Sequence, residues 1–253
     1  MTRQVAVPQW SVPVLTMIAL VVAWQAFTAL FPIPTWLLPS PVAIANVTAQ
    51  WQQQLPLHIG VTLYETLAGF LLAIAVGVPL AVLIVFSPFL AQTIYPILIV
   101  LQSVPKVAIA PLLLVWIGYG ELPKILVVFL VAFFPIVVST ATGLIAVEPD
   151  MLDMVRSLSA TRLQTFVKLR FPSAMPHIFV GLKVAITLAV VGAVIGEFVG
   201  SDRGLGYLIL VSTAQINTPL AFSSMVILSI MSIVLFYGLE ALERLVIPWA
   251  QDD

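Results

Sequence analysis

Three ionisable side chains sit in stretches that are otherwise apolar: Glu65, Lys106 and Glu197. Charges inside such stretches are costly, and they mark pathways, ion pairs or proton relays. Lys106 lies between Pro105 and Pro111, beside Gln102 and Ser103, and could offer a cation to an anionic or carbonyl-bearing solute. It could equally snorkel or pair with a carboxylate, and Glu65 is a candidate partner across a cavity. The separations of the three suggest no acid/base pair. Cysteine is absent, which removes thiolate chemistry, and His58 and His177 stand too far apart for a histidine metal site. A phosphate-binding loop needs GxxxxGK[ST], but the four lysines follow Pro105, Pro123, Val167 and Leu182. The chain is therefore expected not to be an enzyme, and any ATP hydrolysis must come from a separate subunit.

These residues are positioned by an unusually apolar chain. Of 253 residues, 61% are hydrophobic and 8% are charged, where a soluble domain carries about 25% charged residues. Such a chain cannot cover itself with polar groups in water, so lipid is its main solvent. A net charge of −1 gives no basic excess for nucleic acid. The apolar runs are too long for an outer-membrane barrel. They fall at about 12–31, 59–86, 93–119, 122–147, 179–200 and 219–240, which predicts six spans in one membrane domain over 1–253. No small-residue cleavage site follows the first run, so it reads as an uncleaved helix. Residues 31–41 are too rich in proline for helix and read as an interfacial turn with a Trp36 anchor, followed by a short surface helix.

Seven of the 21 charges crowd between residues 148 and 170. By the positive-inside rule this segment is cytoplasmic. Arg3, Lys183 and Arg244 then share its side, Lys124 and Arg203 fall outside, and both termini are cytoplasmic. The segment 148–176 is patterned rather than flexible. Pro149 suits a first helical turn, with Asp150 and Asp153 near the positive end of the dipole. Met151, Met154, Val155 and Leu158 form one apolar face. Ser159 breaks the helix, and a second helix is expected from Thr161 to Arg170, with Arg162 in its first turn and Pro172 as its stop. An exposed apolar ridge with charged flanks points to a protein partner.

Between residues 181 and 204, small residues recur every four. Gly192, Gly196, Gly200 and Gly204 form one stripe, and Gly181, Ala185, Ala189 and Ala193 form another that Glu197 continues. This spacing predicts close helix packing. Asp202 and Arg203 follow in an outer segment, where they could dock a protein partner or simply face solvent.

The segment 148–176 resembles the coupling loop of permease subunits of binding-protein-dependent ABC importers. Asp153 stands at the Glu of their Glu-Ala-Ala start, Met154 and Val155 at the two Ala, Arg156 next, Ser159 at the Gly, and Phe171-Pro172 at the Leu-Pro. Further fragments in shared order resemble the nitrate/sulfonate/taurine branch: Leu38-Pro39-Ser40-Pro41, Gly69-Phe70, Val104-Pro105-Lys106, Trp116-Ile117-Gly118, and Gly196 through Gly200. The resemblance implies an all-α membrane protein with the type I importer permease (MetI-like) fold, in a bacterial cytoplasmic membrane. It implies a homodimer with two ATPase subunits, which hold ATP and Mg, and an extracytoplasmic binding protein. The chain itself is expected to bind no cofactor. Lys106 favours an anionic solute, while the branch also includes riboflavin and pyrimidine-precursor permeases. An ion-coupled secondary transporter, using Glu65, Lys106 and Glu197, is the competing class.

Overall fold

A computed structural model describes residues 11–31 and 33–250. Arg3, counted above with the cytoplasmic charges, lies outside the described residues. The elements are α1 (Ser11–Leu30), α2 (Pro41–Gln50), α3 (Leu55–Phe86), α4 (Pro88–Gln102), α5 (Lys106–Ile117), α6 (Glu121–Ile145), α7 (Pro149–Ser157), α8 (Arg162–Thr165), a π-helical turn (Phe166–Arg170), α9 (Phe171–Gly200), α10 (Leu205–Ala214) and α11 (Thr218–Val246). No strand occurs among the described residues. In lipid this follows from chemistry, because a helix satisfies its own backbone polar groups.

The core is α9 packed on α6 and α6 packed on α3. Small residues let these backbones close up: Ala73, Ala81, Ala132, Ala141, Ala185, Ala189 and Ala193 are almost completely buried. Gly192 lies against the Cα of Val128, and Gly196 against the Cα of Lys124. A side chain at Gly192 would meet that backbone at 2.9 Å, so the stripe on α9 serves packing within one chain. Gly200 sits against Leu114 of α5. Gly204 differs from the other three, because it lies beyond the end of α9 and begins α10.

Among the described residues, five helices are long and apolar enough to cross a membrane, and six spans result if α4 and α5 count as one. The expected run at 93–119 is two helices bent by 97°. The break falls at Ser103–Pro105, because Pro105 cannot donate the backbone hydrogen bond that would carry the helix through. The expected run at 179–200 begins earlier, at Phe171. We call the end of the bundle that carries residues 148–170 the loop end, and the opposite end the far end.

Candidate functional site

The loop end is ordered by local chemistry. Asp150 sits in the first turn of α7 and Arg156 in its last, both favourable to the helix dipole. Arg156 donates to Asp153 Oδ1 at 3.0 Å, one turn apart, and both side chains are largely exposed. The helix closes in a Schellman motif: the Ser159 N–H donates to Arg156 O at 2.9 Å and the Ala160 N–H to Val155 O at 3.3 Å. This requires the left-handed conformation at Ser159, whose φ is 57°. Serine is strained there. Ser159→Gly is expected to stabilise the turn by about 1 kcal/mol. Hydrogen exchange of the Ser159 and Ala160 amides should slow about fivefold as a result.

Thr161 then opens α8 with a capping box. The Gln164 N–H donates to Thr161 Oγ1 at 3.3 Å, and the Thr161 N–H donates to Gln164 Oε1 at 2.8 Å. The second loop helix does not stop at Pro172, as the sequence suggests. It widens into the π turn, where the Phe171 N–H reaches five residues back to Phe166 O. The extra residue in that turn carries the chain past the clash that Pro172 would make in a regular helix, and α9 continues. Met151, Met154, Leu158, Leu163 and Val167 form an exposed apolar ridge, and Leu158 is 74% exposed. Val155 is half-buried beneath it.

Lys106 begins α5, just after the break. Its ammonium donates to Gln102 O at the C-terminus of α4 and lies 5.2 Å from the centre of the Phe134 ring. A cation at a helix C-terminus and over a ring face is favourable twice. Gln102 and Ser103 are exposed beside it.

Glu65 is not the partner of Lys106. It forms an ion pair with Lys124 of α6, and both side chains are buried. Lys124 also donates to Ser201 Oγ at 3.2 Å. Sequence reasoning had placed Lys124 among the outer charges and gave it no role. Its position one turn after Glu121, on a helix starting at Glu121, was the available signal that it points along a helix face.

Glu197 is buried at the far end and acts as a cap supplied from another helix. Its Oε2 accepts from the Gly206 N–H at 2.5 Å and the Tyr207 N–H at 3.1 Å. Thr62 donates to its Oε1 at 2.5 Å and accepts from the Leu205 N–H at 2.8 Å. Every early amide of α10 that needs a partner is met by α3 or α9. Gly204, with φ 113°, brings the chain so close that a Cβ there would overlap the Glu197 carboxylate. His58 Nδ1 accepts from the Gly204 N–H at 3.0 Å. Neither Thr62 nor His58 stood out in the sequence as part of this cluster. Beside it a cavity of about 670 Å³ is lined by Tyr119, Glu121, Lys124, Ser201 and Arg203. Asp202 and Arg203 are exposed at its rim, with their charges 3.7 Å apart.

The chain thus has an exposed ridge at one end, a broken helix with a lysine, and a clasped short helix beside a polar cavity at the other. Residues 73–251 match the family described as "Binding-protein-dependent transport system inner membrane component". A probable ABC transporter permease protein of Haemophilus influenzae is 35% identical over 228 residues, spanning 90% of this chain and 93% of that protein. The formylaminopyrimidine transport permease protein ThiX of Halalkalibacterium halodurans is 34% identical, spanning 94% of this chain and 95% of that one. The taurine transport system permease protein TauC of Escherichia coli is 28% identical, spanning 98% and 91%. Among solved structures, a chain of the MetNI methionine ABC transporter in an inward-facing conformation has a TM-score of 0.66 at 20% identity, covering 75% of this chain and 94% of that chain. That likeness shows the shared fold.

Proposed function

We propose, from the premise that this chain belongs to the family of binding-protein-dependent transport system inner membrane components, how its parts divide the work of a permease. The chain is the membrane permease of an ATP-driven importer. Two copies form the path. Two separate ATPase subunits, holding ATP and Mg, dock on the loop ends, which face the cytoplasm together with both chain termini. An extracytoplasmic binding protein delivers the solute at the far end, where Asp202 and Arg203 line the rim. The observation that carries this reading is the exposed apolar ridge on two short helices, one closed by a Schellman turn and one opened by a capping box, which has no role in a permease working alone. Asp153, Met154, Val155, Arg156, Leu158, Ser159, Arg162 and Pro172 make up the coupling segment.

The solute is small and carries an anionic or carbonyl group that meets Lys106 near Gln102 and Ser103. A pyrimidine precursor is a second reading, favoured by the relative named for formylaminopyrimidine transport. An ammonium donates equally to a sulfonate or to a ring carbonyl, so Lys106 serves either. Glu65 and Glu197 act on the path indirectly, by holding Lys124 and α10.

The test is affinity purification of the tagged protein from its host in mild detergent. An ATPase subunit in roughly equal amount is the expected result. A preparation without ATPase, in detergent and in lipid nanodiscs alike, would support an ion-coupled transporter instead. In the assembled importer, Asp153→Arg or Arg156→Glu is expected to drop substrate-stimulated ATP hydrolysis to its basal level while assembly persists. Unchanged stimulation would remove these residues from the coupling segment.

A further inference from the structure

We infer that the loop end carries a headgroup site for an anionic phospholipid of the cytoplasmic leaflet, formed by Arg156, Arg162 and Arg170 against the foot of α3. The inference rests on the cytoplasmic placement of residues 148–170 proposed above.

A cavity of about 400 Å³ opens between the end of α3 and the α7–α8 hairpin. Phe86 lies at its α3 side, Thr165 stands in its wall, and the three arginines surround it. No carboxylate lines it. Arg156 has Asp153 as an ion-pair partner. Among the described residues, neither Arg162 nor Arg170 has one. Three guanidiniums around one cavity repel each other, and an anion between them turns that repulsion into attraction. Arginine presents planar pairs of N–H donors that match phosphate.

The cavity borders apolar surface on its α3 side. The Phe86 ring packs on Phe166 at 4.9 Å between centroids, and Phe166 packs on Phe171 at 5.8 Å. Phe86 and Phe171 remain partly exposed, at 46% and 36%. Phosphate-seeking groups next to exposed aromatic rings, at the foot of a membrane helix, follow the order of a phospholipid: headgroup first, then acyl chain. A soluble anion would use the arginines and leave the rings without purpose. Basic pockets between membrane helices on the cytoplasmic side are suited to anionic headgroups.

The intact importer, purified with its ATPase and placed in nanodiscs of mixed phosphatidylglycerol and phosphatidylcholine, is the material for the test. Native mass spectrometry reads which lipid each complex retains. Wild type is expected to retain phosphatidylglycerol preferentially. Arg170→Gln should lose about fivefold of that preference, and Arg170→Lys should recover most of it. Equal retention of both lipids by wild type, or an unchanged preference in Arg170→Gln, overturns the site. Protection of Arg170 from phenylglyoxal by inorganic phosphate but not by phosphatidylglycerol assigns the cavity to a soluble anion and also overturns it. So does cross-linking of position 170 to the ATPase with no lipid preference. Absence of the ATPase from the preparation defeats the importer reading and this site with it. Absence of any lipid preference in wild type with the ATPase still bound defeats the site alone.

Discussion

Replacing Lys124 with methionine is expected to destabilise the protein by about 3–5 kcal/mol, because it leaves a carboxylate buried without its counter-ion. Glu65 is fully buried, and Lys124 is its ion-pair partner. The pair spans α3 and α6, two of the three helices that make the core. Removing one charge is costly; removing both is not, because the desolvation cost of each disappears with it. The double variant Glu65→Met with Lys124→Met should therefore recover most of the loss. Thermal unfolding of the four proteins in one detergent gives the cycle. A loss below about 1 kcal/mol in Lys124→Met would mean that the carboxylate finds water or a proton, and that the pair does not hold the helices together.

Glu197→Ala should cost about 3 kcal/mol, concentrated in α10. The substitution strips the acceptor from the Gly206 and Tyr207 amides and from the Thr62 hydroxyl. Thr62 can turn back to the His58 carbonyl, 3.2 Å away, so the two amides carry most of the cost. Leu205 and Leu208, nearly fully buried in the packing of α10 on its neighbours, would be released with them. Glu197→Gln keeps one acceptor oxygen and should fall between wild type and alanine. Hydrogen exchange across 205–214 separates this local opening from global unfolding. Exchange in α10 that rises no more than in α6 would show that Glu197 is not the clasp of this helix.

Much of this architecture is legible from hydrophobic run lengths, since lipid demands about 20 apolar residues per span. The loop end is legible as well, because its rules are local. A dipole-matched charge, a left-handed Ser159 and a capping Thr161 each act within a few residues. What was not legible is long-range. The partner of Glu65 is 59 positions away on another helix, and run length does not say which face of a helix meets which neighbour. The sequence suggests Lys106 as the partner, and the close approach of α3 to α6, where Gly69 meets Val128, brings Lys124 there instead. Glu197 continues a small-residue stripe, which predicts close packing against a neighbouring helix but not which groups it meets. Its second function depends on where α10 returns. Pro172 misled for a different reason: a π turn alters the register in which a proline is harmful, and no local residue pattern announces one.

The failure of Pro172 to end the helix has a mechanical consequence. From Arg162 to Gly200 the chain is one helical stretch of 39 residues, roughly 58 Å long. It has the shape of a lever, with a short arm at the loop end and a long arm running through the bundle to the far end. At its tip Glu197 grips the start of α10, so a tilt imposed at one membrane face arrives at the other as a displacement of that short helix. The π turn, with its looser winding, is the joint where the short arm can swivel. Stiffness beyond it and compliance within it would let a small movement at the loop end be felt at the far end without any part of the core repacking.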